Sequence, residues 1–104
     1  MKQLTSASTI NELAPPDKHS LLFFSASWCA PCLAMKPVLE AVSDQMGKRI
    51  NTIKIDVDAS RKEALNYGIR NVPTVILIKN NEIISQQVGG MPALELTQWL
   101  EQYI

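Results

Sequence analysis

The chain has 104 residues, which fits one domain, and its ten acidic side chains balance its ten basic ones. No basic run indicates nucleic acid or a charged membrane surface as a partner. No apolar stretch approaches the ~20 residues that a membrane span needs. The first residues lack the basic-then-apolar layout of a secretory signal, so we expect a cytoplasmic protein; a signal removed before Met1 is the alternative.

Two cysteines and one histidine exclude several kinds of site. Two cysteines cannot form a disulfide framework, and a closed zinc site needs about four ligands. His19 lies well before Cys29 in the sequence, and we expect it to be a solvated residue leading into a strand. A metal that bridges two chains is the remaining alternative; we expect no metal and no bound cofactor.

The first half of the chain predicts two strands and two helices. Residues 1–5 fit a short edge strand, and a capping box that starts at Thr9 predicts a brief helix ending at Leu13. The apolar run within Ser20–Ser25 predicts a central strand buried on both faces. A longer helix follows the cysteines and ends at Gly47. Its apolar stripe at helical spacing consists of Met35, Leu39, Val42 and Met46.

A third strand and a third helix come next. Apolar residues alternate with polar ones over residues 50–57, which is the pattern of a strand. A second capping box, which starts at Ser60, predicts a short helix that Gly68 ends.

The last part of the chain predicts a hairpin and a final helix. Thr74–Lys79 contains another buried apolar run, and the Asn80-Asn81 pair can adopt the positive φ angles of a tight turn that leads into Glu82–Val88. Pro92 suits the first turn of the final helix. The predicted buried stripe of this helix consists of Leu96, Trp99, Leu100 and Tyr103.

The predicted order of elements is therefore β-α-β-α-β-α-β-β-α. Strands joined through helices indicate parallel pairing with right-handed crossovers, and the closing hairpin adds antiparallel neighbours. We predict an α/β fold in one domain over residues 1–104. It consists of a mixed five-stranded central sheet flanked by four helices, with helices on both faces.

The two cysteines, Cys29 and Cys32, are separated by only two residues. When the first thiol caps a helix and the second lies in its first turn, the pair can interconvert between dithiol and disulfide with little backbone movement. A C-x-x-C pair between a strand and a helix is typical of a redox site. A pair of inert, buried cysteines is the alternative.

The sequence around and beyond this pair resembles the thioredoxin family. Trp-Cys-Ala-Pro-Cys at residues 28–32 follows a buried strand, and Pro37 stands five residues past the second cysteine. Residues 67–74 are similar to the thioredoxin segment that carries a cis-proline. Residues 79–82 and Gly89 match the later hairpin and its closing glycine. The resemblance runs through nearly the whole chain and implies the thioredoxin fold.

The resemblance implies a role for each residue of the motif. Cys29 is the predicted nucleophile, with a thiol pKa lowered at a helix N-terminus, and Cys32 is the predicted resolving thiol. Trp28 is expected to cover the site and touch substrate, with simple packing as the alternative. Pro31 favours a reducing member of the family.

A second set of implied site residues lies opposite the cysteines. Most X-Pro bonds are trans, but the resemblance implies a cis bond between Val72 and Pro73. The Val72 backbone is then expected to pair with an extended substrate segment. Gly89, which has no side chain, is expected to let the substrate pass closely, with a plain strand terminator as the alternative.

Three positions depart from the family pattern. Ala30 stands where glycine is usual, and Ser25 stands where tryptophan is common. Phe23 replaces the buried aspartate that is thought to take the proton from the second cysteine, and Lys54 thereby loses its expected partner and is expected to be solvated. A phenyl ring accepts no proton and makes the site drier. We therefore expect Cys32 to resolve the mixed disulfide slowly.

The resemblance implies a cytoplasmic, monomeric protein disulfide reductase that acts on disulfide-containing proteins. An NADPH-dependent flavoprotein, thioredoxin reductase, is the implied electron donor. Two alternatives stay open. The first is a specialised member that serves one target, through a different reductase or none. The second is a thioredoxin-fold binding subunit or chaperone whose cysteines are incidental.

Overall fold

The fold, described for residues 1–104 by a computed structural model, has the predicted order of elements. Its strands are β1 (Lys2–Gln3), β2 (Ser20–Ser25), β3 (Asn51–Asp56), β4 (Thr74–Lys79) and β5 (Glu82–Val88). Its helices are α1 (Ile10–Leu13), α2 (Ala30–Met46), α3 (Arg61–Asn66) and α4 (Ala93–Glu101), and a 3-10 turn over Gly47–Arg49 follows α2. None of these helices has both the length and the apolar character to cross a membrane.

The five strands form one mixed sheet in the order β1-β3-β2-β4-β5. β3 lies between β1 and β2 and is parallel to both. β4 is antiparallel to β2 and to β5. The predicted α/β fold with a mixed central sheet is confirmed, and β2 lies at its centre.

Helices cover both faces of β2, which explains its unbroken apolar run. Leu21 and Phe23 belong to the core layer that includes side chains of α2 and α4. Leu22 and Phe24 belong to the other layer, which includes Ile10 of α1 and Ala64 of α3. Every residue of β2 is buried, as expected for a strand enclosed on two sides.

Helix α2 carries the second cysteine and begins at the carboxyl end of β2. Cys29 is its N-cap, Pro31 lies in its first turn, and Gly47 ends it with a φ of +57°. The helix continues through Pro37. The predicted apolar stripe of α2 is confirmed as buried, and it packs against the sheet face that holds Phe23.

The turn and cap predictions have different outcomes. Thr9 accepts a hydrogen bond from the Glu12 N–H as the N-cap of α1, and Asn80 and Asn81 both have positive φ angles, as predicted. Ser60 is the N-cap residue of α3, as predicted, but its hydroxyl makes no cap hydrogen bond, so the predicted capping box does not form. Asp56 organises this turn instead: its Oδ1 accepts from two backbone N–H groups, and its carbonyl accepts from the Ser60 N–H.

Two details of the final helix also differ from prediction. Pro92 is the N-cap of α4 and lies outside the first turn. Tyr103 is 39% exposed, because α4 ends at Glu101 and the helical spacing that predicted burial does not extend to residue 103. The other members of the predicted stripe, Leu96, Trp99 and Leu100, are buried.

Candidate active site

Cys29 and Cys32 form a disulfide where β2 ends and α2 begins. Their Cα atoms are 5.2 Å apart, and the Cys32 N–H donates a 3.2 Å hydrogen bond to Sγ of Cys29. Sγ of Cys29 therefore occupies the N-cap position, where unpaired N–H groups and the helix dipole favour negative charge. After reduction, this position stabilises a thiolate on Cys29.

The loop before β4 faces this disulfide. The peptide bond between Val72 and Pro73 is cis, as predicted, and the Val72 carbonyl oxygen lies 3.8 Å from Sγ of Cys29. Neither backbone polar group of Val72 bonds to another backbone group of the chain. An extended segment of another chain can therefore pair with Val72 directly beside the sulfur.

Gly89 closes the strand that runs next to this loop. Its N–H donates a 2.8 Å hydrogen bond to the Pro73 carbonyl, and its φ of +95° is one that side-chain-bearing residues rarely adopt. No atom lies within 4 Å of the position where a Cβ would stand. The space that a side chain at Gly89 would occupy is therefore open.

Trp28 lies at the edge of an open groove of about 310 Å³. The indole is 70% exposed, and its Nε1 donates a 2.8 Å hydrogen bond to Oδ2 of Asp58. The remaining lining of the groove consists of Val57, Ile69, Arg70, Asn71 and Val72. The groove is mostly apolar, it includes the free Val72 backbone, and its charged lining side chain is Arg70.

Similarity to known proteins agrees with this geometry. The family model described as Thioredoxin matches residues 1–102. The thioredoxin of Porphyra purpurea is 34% identical over 104 residues, which cover 100% of this chain and 97% of that protein. Thioredoxin C-2 of Corynebacterium nephridii is 39% identical over 84 residues, which cover 81% of this chain and 78% of that protein. The chain belongs to the thioredoxin family.

A solved structure supports the same conclusion for the fold. Chloroplastic thioredoxin z superposes with a TM-score of 0.83 at 26% sequence identity, covering 97% of this chain and 91% of that chain. The predicted thioredoxin fold is thus confirmed. Membership of this family, together with a disulfide between Cys29 and Cys32, makes the chain a thiol–disulfide oxidoreductase.

Phe23, which departs from the family pattern in the sequence, lies on the same side of the sheet as the cysteines. Its side chain is fully buried in the core layer that also holds Cys29 and Cys32. In the parallel ladder it is paired with Lys54, which is half-buried and not the fully solvated lysine that we expected. No proton acceptor therefore occupies the Phe23 position.

Several residues beside the disulfide were not singled out from the sequence. Asp58 holds Trp28, Met91 lies with Pro31 beside an apolar pocket, and Lys36 and Asp56 line a cleft that reaches Cys32. The signal for Asp56 and Asp58 was available in part, since Asp56 ends β3 and Asp58 follows it. β3 is parallel to β2, and side chains at the carboxyl ends of parallel strands lie close together.

Proposed function

We propose that this chain is a general protein disulfide reductase that an NADPH-dependent flavoprotein, thioredoxin reductase, returns to the dithiol form. The observation that carries the proposal is the position of Cys29, whose Sγ lies beside the unpaired backbone of Val72 and next to the exposed groove at Trp28. The reactive sulfur therefore lies next to a surface that can bind an extended polypeptide.

In the proposed reaction, the reduced protein attacks a substrate disulfide with the Cys29 thiolate. The first product is a mixed disulfide between Cys29 and the substrate, and Cys32 then attacks Cys29 and releases the reduced substrate. The Val72 backbone pairs with the substrate segment, Trp28 covers it, and Gly89 leaves room for its chain.

A coupled assay tests the proposal. The protein is mixed with NADPH, thioredoxin reductase and insulin, and the oxidation of NADPH is followed. We expect turnover with the native protein and none with Cys29→Ser. Because Cys32→Ser can form the mixed disulfide but cannot resolve it, we expect this variant to accumulate covalent complexes with insulin. Absence of NADPH-dependent turnover contradicts the proposal.

Phe23 favours a second candidate, a specialised member with a dedicated target. Because no carboxyl stands at the Phe23 position, we expect slow resolution of the mixed disulfide. A long-lived mixed disulfide is more useful to a protein that serves one partner than to a general reductant. Activity with dithiothreitol but not with the reductase supports this candidate. If both activities are absent, and a partner still binds after both cysteines are replaced by serine, the chain is a binding subunit.

The remaining parts of the proposal are predictions from the sequence. The chain is expected to act as a monomer, as one domain, and in the cytoplasm. Size-exclusion chromatography with light scattering tests the first of these, and fractionation of the cells that express the protein tests the third.

A further inference from the structure

A cleft separate from the groove at Trp28 also reaches the active-site disulfide. It has a volume of about 140 Å³, and Cys32 forms part of its wall. The share of liquid volume per water molecule is about 30 Å³, so the cleft has room for a few waters. Cys32 itself is 2% exposed, and this cleft is space beside it that water can occupy.

Three charged side chains line this cleft. Lys36 stands one helical turn after Cys32 on α2, and Lys54 and Asp56 extend from the same face of β3 because they are two residues apart. Asp56 is the single carboxylate of the lining. Phe23, which is paired with Lys54, offers no atom that could accept a proton.

The Asp56 carboxylate is held in place and has one oxygen free. Its Oδ1 accepts hydrogen bonds from the N–H groups of Asp58, at 2.8 Å, and Ala59, at 3.1 Å. Its side chain makes no other hydrogen bond and no ion pair within the chain. Oδ2 therefore has no partner within the chain and is free to bind water.

We propose that Asp56, acting through water in this cleft, accepts the proton of Cys32 in place of the aspartate that thioredoxins usually carry at the Phe23 position. The ammonium groups of Lys36 and Lys54 stabilise the resulting thiolate, because opposite charges nearby favour the ionised form. The inference rests on the proposed function, since it concerns the resolution step of the same reaction.

The S–H bond of Cys32 breaks, and its proton passes through water to the carboxylate. The Cys32 thiolate forms a bond with Sγ of Cys29, and the bond between Cys29 and the substrate sulfur breaks with its electron pair on the substrate. The substrate leaves as a thiolate, which takes a proton from solvent, and Asp56 returns its proton to solvent. The cysteine pair is oxidised by two electrons, and the substrate is reduced by two.

Stopped-flow kinetics with dithiobis(nitrobenzoate) isolates this step. The attack of Cys29 releases the first equivalent of coloured thiolate, and resolution by Cys32 releases the second. We compare the native protein with Asp56→Asn across pH values from about 5 to 9, the range over which carboxyl and thiol groups titrate. An asparagine amide oxygen can still accept the two backbone hydrogen bonds, so the turn is expected to persist.

We expect Asp56→Asn to leave the first phase unchanged and to slow the second by about tenfold or more near neutral pH, with a changed pH profile. A purely electrostatic role predicts the opposite, because removal of a nearby negative charge favours the thiolate and speeds resolution. Lys36→Gln is expected to slow the second phase through loss of thiolate stabilisation. Asp44→Asn, an exposed carboxylate later on α2, is the matched control and should behave as the native protein does.

A second phase in Asp56→Asn that is as fast as in the native protein, or faster, overturns the inference. The melting temperature and the first-phase rate show whether the variant is folded. The test uses neither thioredoxin reductase nor a protein substrate. Normal two-phase kinetics without turnover of insulin therefore contradicts the proposed general reductase and leaves the role of Asp56 standing.

Discussion

Trp28 and Asp58, which are 30 residues apart in the sequence, are joined by a 2.8 Å hydrogen bond from Nε1 to Oδ2. The indole is otherwise mostly exposed, so little packing holds it beside the groove. The bond therefore fixes the direction of the largest exposed side chain of the site. It also connects the loop that carries the cysteines with the turn that follows β3.

We predict that Asp58→Ala weakens substrate binding and hardly affects folding. A hydrogen bond of this kind contributes about 1 kcal/mol, which corresponds to about a fivefold rise in KM for insulin. The melting temperature should change little because both partners are exposed. Asp44→Ala, which also removes an exposed carboxylate, should leave KM unchanged. An unchanged KM in Asp58→Ala would show that the orientation of Trp28 is unimportant.

We predict that Phe23 stabilises the fold but slows the resolution of the mixed disulfide by Cys32. Phe23→Leu keeps the core apolar and should lower the free energy of unfolding by about 1 kcal/mol. Phe23→Asp loses the phenyl ring and buries a carboxyl, so the loss should exceed about 3 kcal/mol. Urea unfolding measures both values. If the Asp variant folds, its second kinetic phase should be faster than that of the native protein, and an equal or slower phase at every pH contradicts the role assigned to Phe23.

Two buried threonines should respond in opposite directions to replacement by valine. Oγ1 of Thr52 is buried without a hydrogen-bond partner, so Thr52→Val should raise the free energy of unfolding by about 1 kcal/mol. Oγ1 of Thr74 donates a 2.7 Å bond to the Asn71 carbonyl, so Thr74→Val should lower it by about 1 kcal/mol. Thermal and urea unfolding provide the comparison. Destabilisation by both replacements would mean that the Thr52 hydroxyl has a partner in solution.

The two predicted capping boxes allow a comparison of one cap residue that makes a hydrogen bond with one that does not. Thr9 caps α1 through the Glu12 N–H, so Thr9→Ala should cost about 1 kcal/mol. Ser60 makes no cap bond, so Ser60→Ala should change stability by less than about 0.5 kcal/mol. Urea midpoints of the two variants test this difference, and a larger loss in Ser60→Ala than in Thr9→Ala would contradict it.

His19 should make part of the stability depend on pH. Desolvation, and secondarily the charge of Lys79, lower the pKa of His19 below its ordinary value of 6.5. The unfolded chain therefore binds this proton more readily, and stability is lost as pH falls through 6.5 toward the folded pKa. Urea midpoints at about pH 8 and about pH 5.5 should differ less in His19→Gln than in the native protein. An equal pH dependence in both proteins contradicts this prediction.

Local patterns predicted most of the fold. Ser20–Ser25 and Glu82–Val88 have the predicted bounds because an enclosed strand and a tight Asn-Asn turn each leave a clear local pattern. Ser60 precedes α3 as predicted, but its predicted cap hydrogen bond is absent. A capping pattern does not show which group organises a turn, and here Asp56 does so. The predicted burial of Tyr103 is wrong because periodicity does not show where a helix ends.

The candidate site, like the fold, has parts that the sequence predicted and parts that it did not. The C-x-x-C spacing indicated the disulfide between Cys29 and Cys32 directly. The contact between Trp28 and Asp58, and the cleft that Asp56 shares with Cys32, depend on how two parallel strands and a helix meet in space. No local pattern encodes such a meeting, so sequence reasoning found Trp28 and Cys32 but not Asp56 and Asp58.

The residues that meet at the site differ greatly in how far apart they lie along the chain. The two cysteines are 3 residues apart, whereas Cys29 and Val72 are 43 residues apart. A chain that has lost its tertiary structure therefore keeps a pair of neighbouring thiols that can react with disulfides. It loses the surface that selects the substrate. Denaturation should abolish discrimination among disulfides before it abolishes exchange, and an incompletely folded copy of this protein would act as an indiscriminate thiol reagent.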